Sequence, residues 1–332
     1  MLIKPLNPVE DAGDLAALLP VFHAYYAEAM PGFPALERTR LRFWASAEPQ
    51  STARTFAAFA DESGTEALGA IFVLSYHAAN QDMVNTSLVV PAAGHGSGVA
   101  ALLLDEARRA AEAEGRSRLL TEASSGGNSS ISLTALGGRK VHTSTRSVLD
   151  LAGVDRVQYA AWAAPSGKNG EYELVHWIDR CPDELAESFC AAMGAMDDAP
   201  LEDLAYEHPK RTVERLRSME ERSAGFGIRR HAVAAVDAAG RVAGLHTFIT
   251  LPDEPETVDV WDTCVTREHR GHGLGLRLKA AASLWAVEER PSSRWVQTFN
   301  NHENEHMLAV NRALGYQAAE DWSGFEFPTA RS

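Results

Sequence analysis

The chain is short of cysteine: only Cys181, Cys190 and Cys264 occur in 332 residues. An odd, sparse set argues against a disulfide framework and suits a reducing compartment. Long apolar runs are missing too, and none reaches the roughly 18–20 residues that a membrane span needs. The opening Met1-Leu2-Ile3-Lys4-Pro5-Leu6 lacks the basic-then-apolar build of a signal peptide, so a cytoplasmic location is expected. Positive charge is in deficit: 31 Lys and Arg stand against 45 Asp and Glu, a formal net charge of −14. This excess of negative charge speaks against general nucleic-acid affinity. It concentrates cations at the surface and so accords with a cationic small-molecule partner, but acidity that serves only solubility gives the same composition. What remains is 45% hydrophobic and 23% charged, the balance of a soluble globular protein long enough for two domains.

Hydrophobic periodicity divides the chain into two similarly ordered halves. The first predicts helices near 10–19, 21–29 and 36–47, and strands at 55–60, 67–75 and 83–90. A Gly-rich turn and an alanine-rich helix over 98–114 follow, then a strand at 118–121, a Gly/Ser-rich loop at 124–130, a short helix and a strand at 146–151. The second half predicts a strand at 172–177, helices at 183–195 and 211–222, and strands at 228–236, 241–250 and 257–265. A helix over 273–289, a strand at 294–299 and a helix over 303–314 complete it, before the terminal Phe325-Glu326-Phe327. Residues 165–170 look like a linker, and Asp237-Ala238-Ala239-Gly240 like a hairpin turn. Hairpin strands, a crossover helix and one further strand imply an α/β fold, a mixed sheet with helices on both faces. The expected domains are 1–155 and 170–332.

Residues 263–275, Thr-Cys-Val-Thr-Arg-Glu-His-Arg-Gly-His-Gly-Leu-Gly, carry the most information. A strand ends near Val265 and runs into Arg270-Gly271-His272-Gly273-Leu274-Gly275, where a helix begins. Free amides at a helix start face the positive end of its dipole, and glycines let a ligand approach the backbone. Such a turn is an anion cradle suited to a pyrophosphate. His95-Gly96-Ser97-Gly98-Val99-Ala100 occupies the matching place in the first half.

These residues resemble the GNAT superfamily of acyl-CoA-dependent N-acetyltransferases, whose signature Arg/Gln-x-x-Gly-x-Gly/Ala is met in full by 270–275. In the first half Gly98 and Ala100 fit, and His95 replaces the Arg or Gln. Thr298-Phe299-Asn300-Asn301, Asn304, Met307, Asn311 and Leu314-Gly315-Tyr316 are similar to the family's fifth strand and fourth helix. The resemblance implies two tandem GNAT-like domains, the first possibly degenerate and the second catalytic, with acetyl-CoA as co-substrate and no metal. It implies that the backbone at Cys264 and Val265 holds the thioester carbonyl and pantetheine. Arg270, Gly271, His272, Gly273, Leu274 and Gly275 would hold the pyrophosphate, and Asn304 would meet the pantetheine arm. The acceptor would be a small amine, such as an antibiotic, polyamine or amino sugar, and a homodimer is left open. Two family positions depart. The helix-four tyrosine that acts as acid is Asn311 here, and the strand-five glutamate base is Phe299. An amide cannot protonate a thiolate.

The acid–base chemistry must then come from other residues. Asp262 is expected as the base acting through water, and His302, at the mouth between strand and helix, as the second candidate. Asp259 lies on the same strand as Asp262, Tyr316 could be an acid or core, and Cys264 could form an acyl-enzyme or simply pack. His302-Glu303-Asn304-Glu305-His306 spells H-E-x-x-H, which on a helix would suggest a zinc hydrolase. Gly96-x-Gly98-x-x-Ala101 fits a loose dinucleotide fingerprint. The acidic cluster 196–203 could form a wall for a cationic acceptor or be a solvated loop. A non-catalytic acyl-CoA-binding or sensory module is the alternative to an enzyme.

Overall fold

The structure is a computed structural model and describes residues 1–62, 64–125 and 133–330. In chain order its first elements are β1 (Leu2–Leu6), α1 (Ala12–Ala29), α2 (Arg38–Ala45), β2 (Ser51–Phe59), β3 (Gly69–Tyr76), β4 (Met83–Val89), α3 (Val99–Ala113), β5 (Arg118–Ser124) and β6 (Arg139–Asp150). There follow α4 (Arg156–Ala163), β7 (Glu173–Ile178), α5 (Asp183–Met193), α6 (Val213–Gly225), β8 (Arg229–Val236), β9 (Val242–Thr250) and β10 (Thr257–Val265). The chain closes with α7 (Leu274–Glu289), β11 (Trp295–Asn301), α8 (Glu305–Ala313) and β12 (Gln317–Pro328).

The chain divides into two compact units. Unit 1 holds Met1–Ser144, Leu201–Pro209 and Glu320–Ser332; unit 2 holds Thr145–Pro200 and Lys210–Ala319. In unit 1, β1 to β4 form an antiparallel run, and β5 lies parallel to β4 with Met83 opposite Arg118 and Thr86 opposite Thr121. The outer side of β5 is paired by the end of the chain, antiparallel from Trp322 opposite Ser124 to Pro328 opposite Arg118. One face is covered by α3, whose Val99, Leu103, Leu104, Ala107 and Ala111 recur at helical spacing and pack on Ile71, Val73, Val84 and Phe327. The other face is covered by α1 and α2 through Leu18, Phe22, Tyr25, Tyr26 and Leu41.

Unit 2 repeats the plan. Its strands run β11-β10-β9-β8-β7, with β6 beside β11. All neighbours from β7 to β10 are antiparallel, and β10 is parallel to β11. One face carries α7 and α4, with Leu274, Leu278 and the alanines of α7 packed on Val233, Ala235, Ala243 and Val258. The opposite face carries α5 and α6, with Leu185, Phe189 and Leu216 on Ala232, Ala234 and Leu245. Both units therefore have the mixed sheet and two-faced helical cover that the sequence implies.

Local details differ from the sequence reading. The helices expected at 10–19 and 21–29 are one helix, α1, that continues through Pro20. A mid-helix proline costs about 3 kcal/mol. Leu18, Val21, Phe22, Tyr25 and Tyr26 are all buried along the helix, and each such burial returns about 1.5–3 kcal/mol, so packing outweighs the break. Asp11 adds an N-cap, its Oδ1 accepting from the amides of Gly13 and Asp14 at 2.7 and 2.9 Å. The Gly/Ser loop read at 124–130 lies mostly at 126–132, outside the described residues, and 133–137 form turns in place of the expected short helix. Helix α4 has no counterpart in the sequence reading. The stretch at 165–170 lies within unit 2, where Gly167–Glu171 make a 3₁₀ turn. Among the described residues no helix is long and apolar enough to cross a membrane.

Phe327 is 0% exposed and anchors the terminal strand in unit 1. Phe327→Ala should lower stability by about 3–5 kcal/mol. Chemical denaturation checks this; an unchanged unfolding midpoint would remove the last strand from the unit 1 core.

Candidate active site

The site in unit 2 begins where two parallel strands part. The pairing of β10 with β11 runs Thr257–Trp295, Val258–Val296 and Asp259–Gln297, and the ladder goes no further although both strands continue. On its other edge β10 shifts register against β9 between Val260 and Thr263. An extra residue on one strand bends it and strengthens its twist. The bulge thus turns the end of β10 away from β11 and opens a wedge between them. At its closed end Asp259 is buried, and its Oδ1 accepts from Gln297 Nε2 at 2.5 Å; Gln297 Oε1 accepts from Arg146 Nη1 at 3.1 Å. Asp259 is thereby tied into a buried network with Gln297 and Arg146.

The turn after β10 forms the cradle. Gly271 and Gly273 take φ values of 78° and 76°, left-handed conformations that favour glycine, and Gly273 is the N-cap of α7. Arg277 N–H donates to Gly273 C=O at 3.2 Å as α7 begins. Among the described residues, no protein acceptor meets the amides of Gly271, His272, Gly273, Leu274, Gly275 or Leu276. These orphan donors and the helix dipole together favour an anion. The room fits as well: a Cβ built on Gly271 or Gly275 meets nothing within 4 Å, and one on Gly273 meets only Asn169 Nδ2 at 3.6 Å.

Side chains around the cradle set its shape. Tyr172 Oη lies 2.8 Å from His269 Nδ1 and 2.7 Å from His272 Nδ1, so His272 offers the cradle its amide while its ring is held aside. Arg277 is buried and donates to the carbonyls of Ala163, Asn169 and Tyr172, which fixes the 167–171 turn against α7. Arg270 donates from Nε to Val265 O at 3.2 Å and from Nη2 to Asp198 at 2.6 Å. Arg267 reaches the same carboxylate at 3.1 Å. These bonds hold the Asp198 carboxyl below the usual carboxylate range, Arg270 contributing most.

The face of β10 toward α5 and α6 carries a narrow cleft lined by Trp177, Asp179, Glu220, Arg230, Thr247 and Trp261, among others. Its cavity volume is small, about 20 Å³. Asp262, at the bulge, accepts from Thr247 Oγ1 at 3.3 Å, and its amide donates to the same oxygen at 3.0 Å. Burial raises the Asp262 carboxyl above the usual range, opposed by the charges of Arg230 and Arg211. Arg230 stacks 4.6 Å above the Trp261 ring. Cys264 points into the α5 core, with Sγ 3.3 Å from Ala192 O, and burial pushes its thiol up to about 12. Burial thus disfavours the thiolate that an acyl-enzyme would need.

The remaining sequence candidates occupy different places. Asn304 caps α8, its Oδ1 accepting from Met307 N–H at 3.2 Å. His302 is exposed and precedes α8, which starts at Glu305, so His302 and His306 do not share successive turns of one helix. Among the described residues no three His, Cys, Asp or Glu side chains gather as metal ligands. Among the described residues the helical H-E-x-x-H arrangement is therefore not formed. Tyr316 is core, buried under α7. Asp197 pairs with Arg211 and Asp198 with Arg267 and Arg270, so these two acids of the 196–203 cluster are already engaged. Sequence reasoning missed Tyr172, Arg277 and Arg230; nothing in local spacing marks them. Unit 1 repeats the turn, with φ of 74° at Gly96 and 83° at Gly98, and Gly98 caps α3. There His95 Nε2 lies 3.2 Å from Val90 O, the relation that Arg270 has to Val265.

Residues 194–316 match the model of the Acetyltransferase (GNAT) family. Among solved structures, the chain is similar to a tandem GNAT protein from the clavulanic acid biosynthesis pathway, with 24% identity and a TM-score of 0.81 over 100% of this chain and 99% of that one. It is similar to a GCN5-related N-acetyltransferase from Sphaerobacter thermophilus, with 15% identity and a TM-score of 0.67 over 100% and 96% of the two chains. A GCN5-related glucosamine N-acetyltransferase region of a fungal multi-domain GH3 β-N-acetylglucosaminidase gives 15% identity and a TM-score of 0.62 over 98% of this chain and 38% of that one. No curated protein sequence matches. Likeness at these identities carries the fold.

Gly273→Glu places a charged side chain at a positive φ where the free amides converge. It should abolish acetyl-CoA binding through strain, bulk and like charge against phosphate. Calorimetric titration checks this; unchanged affinity in the folded variant contradicts the location of the cradle.

Proposed function

We propose, for a chain of tandem GNAT fold whose residues 194–316 match the model of the Acetyltransferase (GNAT) family, that unit 2 transfers an acetyl group from acetyl-CoA directly to a small amine. The observation that carries this reading is the run of unmatched amides from Gly271 to Leu276 at the mouth of the wedge between β10 and β11. A diphosphate satisfies those amides, and each charge-assisted bond is worth about 1.5–3 kcal/mol. An extended pantetheine, with its own amides, fits the free strand edges around Cys264 and Val265, with Asn304 close to its path. Arg270 adds positive charge once it exchanges Asp198 for phosphate. A cytoplasmic location is part of the same reading.

The chemistry requires a neutral amine. An alkylammonium has a pKa of about 10.4, so a base must take its proton before attack. Asp262 is the base in this reading, acting directly or through one water, because it lies on the cleft face at the bulge and burial raises its carboxyl, which makes it the stronger base once ionised. His302, exposed at the open end of the wedge, is the second candidate. The cleft brings Trp261, Trp177 and the carboxyl groups of Asp179 and Glu220 around the acceptor path. Aromatic faces and carboxylates suit an organic cation. With the Cys264 thiol pushed up by burial, direct attack on the thioester is preferred over a covalent intermediate.

A non-catalytic acyl-CoA-binding role is favoured by one observation, that Asn311 and Phe299 stand where the family has its usual acid and base. Tight CoA binding without turnover would select it. The transferase reading predicts release of free CoA from acetyl-CoA with at least one amine in a broad panel; silence across the panel sinks it. Asp262→Asn should lower kcat/KM by about 10²–10⁴-fold with CoA affinity kept. In the wild type the rate should rise with pH through the elevated pKa of Asp262, because the base works only when ionised. A rising limb that survives in the Asn variant would assign the base elsewhere.

A further inference from the structure

Arg230 lines the cleft on the α5–α6 face of unit 2, and the protein leaves its charge without a counter-ion. The carboxyls that line the same cleft are each balanced at short range. Asp179 pairs with Arg229 at 2.8 Å, and its Oδ1 accepts from the Arg230 amide at 3.1 Å. Glu220 pairs with Arg217 at 2.8 Å and accepts from the Cys181 amide at 2.8 Å. The Arg230 guanidinium makes no ion pair among the described residues. Its Nη1 reaches only Ser223 Oγ, at 3.5 Å, and its Cζ lies 4.6 Å from the centre of the Trp261 ring. Stacking uses the face of a guanidinium and leaves its edge, where the N–H donors lie, free. The side chain is half-buried, so donors left unmatched there carry a cost.

The strand register brings this guanidinium to the same face as Asp262. Arg230 and Ala232 point to one face of β8, and Ala232 stands opposite Thr247 on β9. Across β9, Val260 pairs with Phe248 and Thr263 with His246, so the bulge sets both Trp261 and Asp262 against Thr247. Thr247 Oγ1 donates to Asp262 Oδ2 at 3.3 Å. A guanidinium and a carboxyl thus share one region of the sheet without forming an ion pair. Each still feels the other: Asp262 is the chief charge that opposes the lowering of Arg230 by burial. The room beside Arg230 is small. One buried water takes about 10–15 Å³ of such space, so about 20 Å³ admits a group of two oxygens and excludes a ring.

We infer that the acceptor of unit 2 is a small amino acid, its carboxylate held by Arg230 and its amine turned toward Asp262. This rests on the acyltransferase reading of unit 2. The planar fork of arginine matches a carboxylate through two parallel N–H···O bonds, and the cleft has room for that head group. The ammonium gives one proton to Asp262, and the neutral nitrogen then bonds to the acetyl carbon. The C–S bond breaks with its electron pair on sulfur, and the second proton lost by the nitrogen passes through solvent to that sulfur. The carboxylate takes no part in these bonds. It fixes where the nitrogen sits, so Arg230 is a specificity residue. An amine without a carboxylate leaves the guanidinium donors unmatched, and a site built to bind a polar group discriminates strongly against a ligand that lacks it.

The test compares the common amino acids with their primary amides, which keep the amine and lose the negative charge. The wild type should use at least one amino acid with a kcat/KM about 100-fold above that of its amide. In Arg230→Met, KM for that amino acid should rise about 100-fold, while KM for acetyl-CoA stays within about threefold and the amide is used as in the wild type. Arg230→Lys should recover part of the loss, because an ammonium keeps the charge and not the paired donors. Calorimetric CoA binding reports that the variants are folded. A wild type that uses amides as well as or better than amino acids overturns the inference and leaves the transferase reading intact. An unchanged amino-acid KM in the folded Met variant does the same. A wild type that acetylates no amine overturns both. Should the variants not fold, the wild-type comparison of amino acid with amide decides.

Discussion

The unit 2 site depends on a hydrogen-bond ladder that stops. Three residue pairs join β10 to β11, and the bulge between Val260 and Thr263 then turns β10 aside. Backbone donors and acceptors on facing strand edges must be satisfied by something. If the strands stayed paired, the edges would be filled and the glycine turn would cap a closed sheet. Because they part, an extended ligand with its own amides can complete them, and in the proposed reading its phosphates rest on the start of α7. The buried Asp259–Gln297–Arg146 network marks the point beyond which parting begins, and it holds the closed end of the wedge firm.

Asp262 belongs to the α5–α6 face of the sheet, where Thr247 holds it, and burial raises its carboxyl above the usual range. In the proposed reading the acceptor amine meets its base on that face, while the glycine turn at the start of α7 takes the phosphates, so one sheet keeps the two tasks apart.

What the sequence made legible is what local chemistry determines. The cradle could be read because a left-handed turn next to phosphate admits little but glycine, and Gly271 and Gly273 sit at those torsions. Strand and helix order followed from periodicity. Long-range pairing left no local trace: Tyr172 meets His269 and His272 across about a hundred positions, Asp198 meets Arg270, and Arg277 binds carbonyls of the 163–172 segment. The recruitment of residues 320–332 into unit 1 was equally silent, since Phe325-Glu326-Phe327 suits any edge of any sheet. H-E-x-x-H, the remote alternative, needs a helix for its spacing, and α8 starts after the first histidine.

The central claim is that the diphosphate of acetyl-CoA rests on the amides of the turn after β10. Backbone amide NMR during a titration with acetyl-CoA addresses it most directly. The account predicts that Gly271, Gly273 and Gly275 move the furthest and become the most protected from solvent exchange. Saturable binding that leaves these three amides unmoved would contradict it.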